Sequence, residues 1–253
     1  MNKKNQENVD LIYKNISNKI IPDSVLKKEL KRLLDTAYNK IEKAENKFEK
    51  NVIDPFSYLF EYILFNKKDH ADWKNSEILR QQQKEFGNHL GRFHQNIMCS
   101  IKDCFEPGEG GVDLINEKKK IIAEIKNKHN TTNTDGIAGS FDKLKKELSK
   151  KGREDYTAYF VTVLAKNTDN YEHQLITTTN KKKSHYRDPD ERIQAVNAEF
   201  FYEKISDTSN VLKSIYQRIP EMILKIDQNK KKVIENILKE KEFNYYLLKA
   251  YGK

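Results

Sequence analysis

The chain has 253 residues, 37% hydrophobic and 34% charged, with 13 Tyr and 12 Phe; such a length buries a real core, and this aromatic content excludes an unfolded polyelectrolyte. Lys and Arg number 47 against 38 Asp and Glu, a net charge of +9 with a pI near 9.2, so charge favours a polyanionic partner. Cys99 and Cys104 are the only cysteines, which excludes a disulfide scaffold and structural-zinc spacing and fits a reducing, cytoplasmic setting.

The N-terminal MNKKNQENVD is polar, unlike a secretion signal, and the longest apolar stretch, Ser57 to Phe65, is far too short to cross a bilayer. From about residue 8 to residue 104 the spacing predicts helix. Leu26, Leu30, Leu33, Leu34, Ala37 and Tyr38 mark one stripe, and Asp54-Pro55 has the form of an N-cap followed by proline at the first helical position. Trp73 and the aromatics between Phe56 and Phe65 are expected in the core. A further helix is expected from about Ser76 to Cys104, stopped by Glu106-Pro-Gly-Glu-Gly-Gly111.

Residues 112–116 (VDLIN) and 120–126 (KIIAEIK) have the pattern of two strands joined by a hairpin-length connection. A helix follows from about Ile137 to Lys151, with Ile137, Phe141, Leu144 and Leu148 on one face and Gly152 as its stop. Tyr156 to Ala165 (YTAYFVTVLA) is then a buried central strand. Between Lys166 and Arg192 the pattern dissolves into a polar loop with a basic cluster from Lys181 to Arg187. Helical spacing returns at Val211, is interrupted by Pro220, and resumes as an amphipathic helix from Glu221 to Lys239 that packs on the core or forms a dimer interface.

The chemistry is carried by Asp113, Glu124 and Lys126. Two residues apart on a strand, Glu124 and Lys126 point to one side, roughly 7 Å apart at Cα. The hairpin brings Asp113 beside Glu124, and converging carboxylates of this kind call for a hard cation such as Mg²⁺, with Mn²⁺ able to replace it. Phosphodiester hydrolysis needs a metal that polarises the phosphoryl oxygen and a group that places the attacking water. Asp113, Glu124 and the Ile125 main-chain carbonyl would hold the metal. Lys126 would set positive charge where negative charge develops. In a chain rich in Glu and Lys the same triplet also arises as a capping Asp and two surface residues of a strand.

The runs Asp113-Leu-Ile-Asn116 and Glu124-Ile-Lys-Asn-Lys-His-Asn-Thr-Thr132 resemble the active-site core of type II restriction endonucleases that cut GGNCC and GGWCC sites, within the PD-(D/E)xK superfamily. Weaker similarity covers Leu90-Gly-Arg-Phe-His-Gln95 and Glu191 through Phe200-Phe-Tyr-Glu203. The resemblance implies a homodimer acting on a short palindrome in double-stranded DNA, and a restriction-modification system whose methyltransferase forms no stable complex with it. It implies Asp113, Glu124 and Lys126 as catalytic residues. Related nucleases place a further acid before the first strand, where this chain has Gln95, whose amide oxygen can accept a metal or a water but carries no charge.

For DNA contact the candidates are Asn127, Lys128, His129, Asn130 and Thr131, directly after the catalytic lysine, and Lys182, Lys183, His185, Tyr186 and Arg187 of the basic loop. Arg187 can take a guanine edge bidentately. His89 and His94, five apart, do not share a helix face and are read as non-catalytic. The expected architecture is α/β: a restriction-endonuclease-like core with a mixed central sheet flanked by helices. Its parts are a helical region at 1–75, the nuclease core at 76–205 and C-terminal helices at 206–253. Two rivals remain on sequence grounds, a structure-selective repair nuclease and a non-catalytic DNA-binding protein.

Overall fold

The computed structural model describes residues 20–43, 48–108, 111–130, 132–166, 172–175, 177 and 187–251. They form two compact units, one of Lys31–Arg92 and one of Met1–Leu30 with Phe93–Lys253. Two long helices, α1 (Asp23–Glu42) and α3 (His70–Cys99), have residues in both. No described helix is long and apolar enough to cross a membrane.

In the unit Lys31–Arg92, α2 (Pro55–Leu64) begins as its sequence predicts. Asp54 Oδ1 accepts the Phe56 N–H at 3.0 Å, and Pro55 occupies the first turn, where no intrahelical N–H bond is lost. The core here is Phe48, Trp73 and Ile78, with Ile53, Tyr58 and Tyr62 packed against it. Trp73 is buried as expected, but Phe56, Phe60 and Phe65 are 55–68% exposed. That corrects the core expectation for these aromatics: α2 is apolar on two faces, and only one meets Trp73.

The other unit is built on a six-stranded sheet ordered β1-β2-β3-β4-β6-β5. Its strands are β1 (Cys104–Phe105), β2 (Leu114–Asn116), β3 (Ile121–Lys128), β4 (Thr157–Leu164), β5 (Glu172–Gln174) and β6 (Ile193–Asn197). The pairs β3/β4 and β4/β6 are parallel, and β1/β2, β2/β3 and β5/β6 are antiparallel. Between β3 and β4 runs α4 (Thr134–Leu148), whose Phe141, Leu144 and Leu148 pack with Ile122, Ala158 and Phe160 on one sheet face. Alternation along β4 sends Tyr159 to the opposite face. There its ring lies 5.7 Å from Phe201 of α5 (Ala198–Ser206). A mixed sheet with helices on both faces is the α/β architecture anticipated above.

The order strand, strand, helix, strand is present, and the boundaries moved for local reasons. Asn133 caps α4 through Gly136 N–H at 2.9 Å, starting it three residues before Ile137. The helix ends at Leu148, and Gly152 takes φ +83° in the turn beyond. β1, β5 and β6 were not foreseen; they are two, three and five residues long, too short for alternation to show. Pro220 does not break its helix: α6 (Val211–Ile226) runs through it. Proline lacks only the N–H toward Tyr216, and the buried stripe of Leu212, Ile215 and Met222 holds both halves in place. The break falls instead at Asp227, followed by α7 (Lys231–Lys239) and α8 (Glu242–Tyr251). Tyr216 stacks on Phe243 at 4.8 Å and its hydroxyl donates to the Phe243 carbonyl at 3.0 Å, which packs α8 on α6.

Candidate active site

Two short strands and the turn between them position the acids. β2 and β3 pair Leu114 with Ala123 and Asn116 with Ile121, and Lys120 takes φ +57° in the connecting turn. At the open end the ladder shifts by one residue: Asp113 N–H donates to the Ala123 carbonyl at 2.9 Å, although Ala123 is already the partner of Leu114. An offset of this bulge-like kind re-aims a side chain. Here the Asp113 carboxylate turns along β3, where Oδ2 accepts the Ile125 N–H at 2.7 Å.

Glu124, one position before Ile125, is 2% exposed. Its Oε1 accepts from Lys126 Nζ at 2.8 Å and from Lys143 Nζ of α4 at 3.3 Å. Its Oε2 is buried and has no hydrogen-bond partner among the described residues. Burial pushes the Asp113 carboxyl above the ordinary Asp range, and the neighbouring Glu124 charge pushes it further, against the pull of the Ile125 N–H, Lys126 and Lys143. Two acids therefore converge beside two lysines, one of the acids resists ionisation, and one buried oxygen lacks a donor among the described residues.

That donor set fits a hard divalent cation. Such an ion takes one or two carboxylates and completes its shell with other oxygens and water. Asp113 and Glu124 could supply the carboxylates. In a strand the N–H and C=O of one residue leave the same edge, so the Ile125 carbonyl faces the side on which Asp113 receives its N–H. No group of three or more His, Cys, Asp or Glu converges among the described residues, which leaves any further donors to main-chain, amide or water oxygens. Gln95 is half-buried on α3, one turn before Cys99, whose thiol lies 3.6 Å from the Asp113 carbonyl.

Comparison with known proteins gives the family. The model of the Eco47II restriction endonuclease family matches residues 18–227. The type II restriction enzyme Eco47II of Escherichia coli is 36% identical over 206 residues, 80% of this chain and 85% of that enzyme. The chain belongs to the Eco47II restriction endonuclease family. A second relative, the type II restriction enzyme Sau96I of Staphylococcus aureus, is 26% identical over 202 residues, 76% of each chain. This member of the family is thus a type II restriction endonuclease, a site-specific deoxyribonuclease of a class that generally needs a divalent metal. The repair-nuclease and non-catalytic readings lose their standing.

Other residues singled out in the sequence fall around this candidate site unevenly. β3 continues to Lys128, two residues past the expected end, because its pairing with β4 runs on to Leu164. Lys128, His129 and Asn130 are exposed at the end of the strand that carries Lys126, with Asn127 half-buried before them. His129 N–H donates to the Leu164 carbonyl at 3.0 Å. Thr131, Lys182, Lys183, His185 and Tyr186 lie outside the described residues. Arg187 grips Asp142 of α4 with two bonds, Nε to Oδ1 at 2.8 Å and Nη2 to Oδ2 at 2.9 Å, and holds that carboxyl below the usual Asp range. His94 is half-buried, and desolvation pushes it down to about 4, so it is neutral.

Lys143 was missed. In sequence it is one of three lysines among the polar positions of α4. Only its place beside Leu144, at the border of the buried stripe, hints that it looks toward the sheet.

Proposed function

We propose that this chain hydrolyses phosphodiester bonds of double-stranded DNA at a GGNCC-like palindrome, with Mg²⁺ as the natural cofactor and Asp113, Glu124 and Lys126 as its catalytic residues. The observation that carries the reading is the buried Glu124 carboxylate, compensated by two lysines on one oxygen and by nothing described on the other. Asp113, Glu124 and the Ile125 carbonyl would hold the ion, with Gln95 a further oxygen donor. Bound there, Mg²⁺ would polarise the phosphoryl oxygen and lower the pKa of a coordinated water.

The chain's own groups do the remaining work. Lys126 and Lys143 put two ammonium charges at the mouth of the site, half-buried to half-exposed, where a phosphate approaching Glu124 would meet them. In hydrolysis that charge stabilises the phosphorane-like transition state more than the ground state. The Ile125 N–H fixes Asp113, so the carboxylate needs no reorganisation when substrate arrives. Lys128, His129, Asn130 and the basic loop up to Arg187 would contact backbone and bases. The GG…CC reading is supported by the DLIN…EIKNKHNT run. Two copies would act on the two strands, in the cytoplasm, alongside a methyltransferase that protects host DNA.

Purified protein is incubated with unmethylated plasmid, with and without Mg²⁺, and the ends are sequenced. Discrete Mg²⁺-dependent fragments ending at one palindrome are expected. Metal-independent cleavage, or a smear with no common end sequence, would overturn the proposal.

A further inference from the structure

We propose that the outer face of α2 is the surface through which two copies of this chain associate. The helix PFSYLFEYIL has no fully buried residue. Its inner side is accounted for, with Tyr58 and Tyr62 on the Trp73 cluster and Glu61 Oε2 accepting the Trp73 indole N–H at 2.9 Å. Its outer side carries Phe56, Leu59, Phe60, Ile63 and Leu64, continued by Phe65, each 54–70% exposed. The first five follow the i, i+3, i+4, i+7, i+8 spacing of one helix face.

Area argues that this face is covered. With about 150–250 Å² for an exposed aromatic side chain and somewhat less for Leu or Ile, the six leave roughly 600–700 Å² of apolar surface in water. The largest patch on a typical monomer is about 300–600 Å², whereas a stable interface takes about 800 Å² from each partner. The stripe and a modest rim reach that figure.

Chemistry selects a second copy as the occupant. No ionised side chain interrupts the stripe, since Glu61 faces inward, so it offers nothing to a phosphate backbone, which binds through Lys and Arg. Ten residues of helix are half of what a bilayer requires. About a two-fold axis, however, the stripe meets itself antiparallel and every apolar residue finds an apolar counterpart. A second copy is also what cutting both antiparallel strands calls for when each chain carries one carboxylate pair, and in this respect the proposal rests on the nuclease reading above.

Sedimentation equilibrium of the full chain, free of DNA and metal, should give a species of twice the 29.8 kDa chain. A variant with Phe60→Glu and Ile63→Glu sets like charges against each other across the axis and should weaken the dimer by roughly 100-fold or more. Its circular dichroism should match wild type, because both positions are exposed. A second variant, Phe60→Lys with Ile63→Lys, should also be monomeric, and mixing the two should restore a dimer. A monomeric wild type overturns the proposal, whether the stripe is then bare or covered by residues 1–19 of its own chain. So does a Glu variant that dimerises like wild type, or a mixture that stays monomeric. Asp113→Ala should dimerise normally, so failure of the nuclease reading and failure of the interface are seen separately.

Discussion

If Asp113 is the metal ligand proposed above, folding and catalysis pull on it in opposite directions. Its carboxyl is raised above the ordinary Asp range by burial and by Glu124, so the ionised form that a cation needs is the form the fold resists. The sign of the pH dependence follows. For an acid whose folded pKa is raised, the stabilising contribution is fully present below the unfolded value, about 3.9, and is lost as pH rises through the folded value. Asp113→Asn keeps an oxygen for the Ile125 N–H and removes the charge. In metal-free buffer it should melt above wild type at neutral pH, with the gap closing as pH falls toward 4. Melting curves at several pH values check this, and a variant less stable than wild type at neutral pH would contradict it. Lys143 invites the second test. Lys143→Ala should lower cleavage roughly 10- to 100-fold and reduce the slope of log affinity against log salt for metal-free DNA binding by about one. Unchanged slope and rate would make Lys143 a surface lysine that merely neutralises Glu124. The sequence could not have named it: Glu124 and Lys126 are tied by strand period, whereas Lys143 reaches them only through the packing of α4.

At the level of elements, the parts legible in the sequence are those with a local physical cause. Asp54-Pro55 carries its cap in two adjacent residues, and the structure shows that cap. Phe141, Leu144 and Leu148 announce α4 by period, and β4 announces itself by eight β-branched, aromatic or apolar residues, the inner six of them buried. β5 and β6 lacked any such signal. Glu172–Gln174 is polar throughout, and Ile193–Asn197 is strand because the parallel edge of β4 offers it partners from Ala158 to Thr162. Pro220 misled for the opposite reason: a local rule predicted a break, and tertiary burial of the helix on either side overrode it. The same contrast explains the site. The bulge-like offset that turns Asp113 toward Ile125 depends on which residue of β2 ends the ladder, so sequence could place Asp113 near Glu124 but could not say that a main-chain N–H anchors it.

The whole molecule combines a net charge of +9 with one centre in which two carboxylates lie beside two ammonium groups, and the two facts divide the labour of binding. Distributed Lys and Arg attract a polyanion at long range, while in the proposed mechanism the carboxylate pair takes a cation of its own. If Asp113 and Glu124 hold Mg²⁺ in the folded chain and not in the unfolded one, the ion must stabilise the fold by mass action. At about ten times its dissociation constant the gain is about 1.4 kcal/mol, or roughly 3–6 °C in melting temperature. Glu124→Gln removes one ligand charge from a position that is 2% exposed and close to isosteric, so this variant should fold and show little or no shift over the same Mg²⁺ range. The comparison needs no DNA and no turnover, and therefore tests the metal site apart from the cleavage it serves. Equal shifts in wild type and variant would mean that Mg²⁺ binds elsewhere on the chain. No shift in the wild type at saturating Mg²⁺ would mean that the carboxylate pair takes the ion only when a phosphate completes the site, and the Glu124→Gln effect should then appear with DNA present.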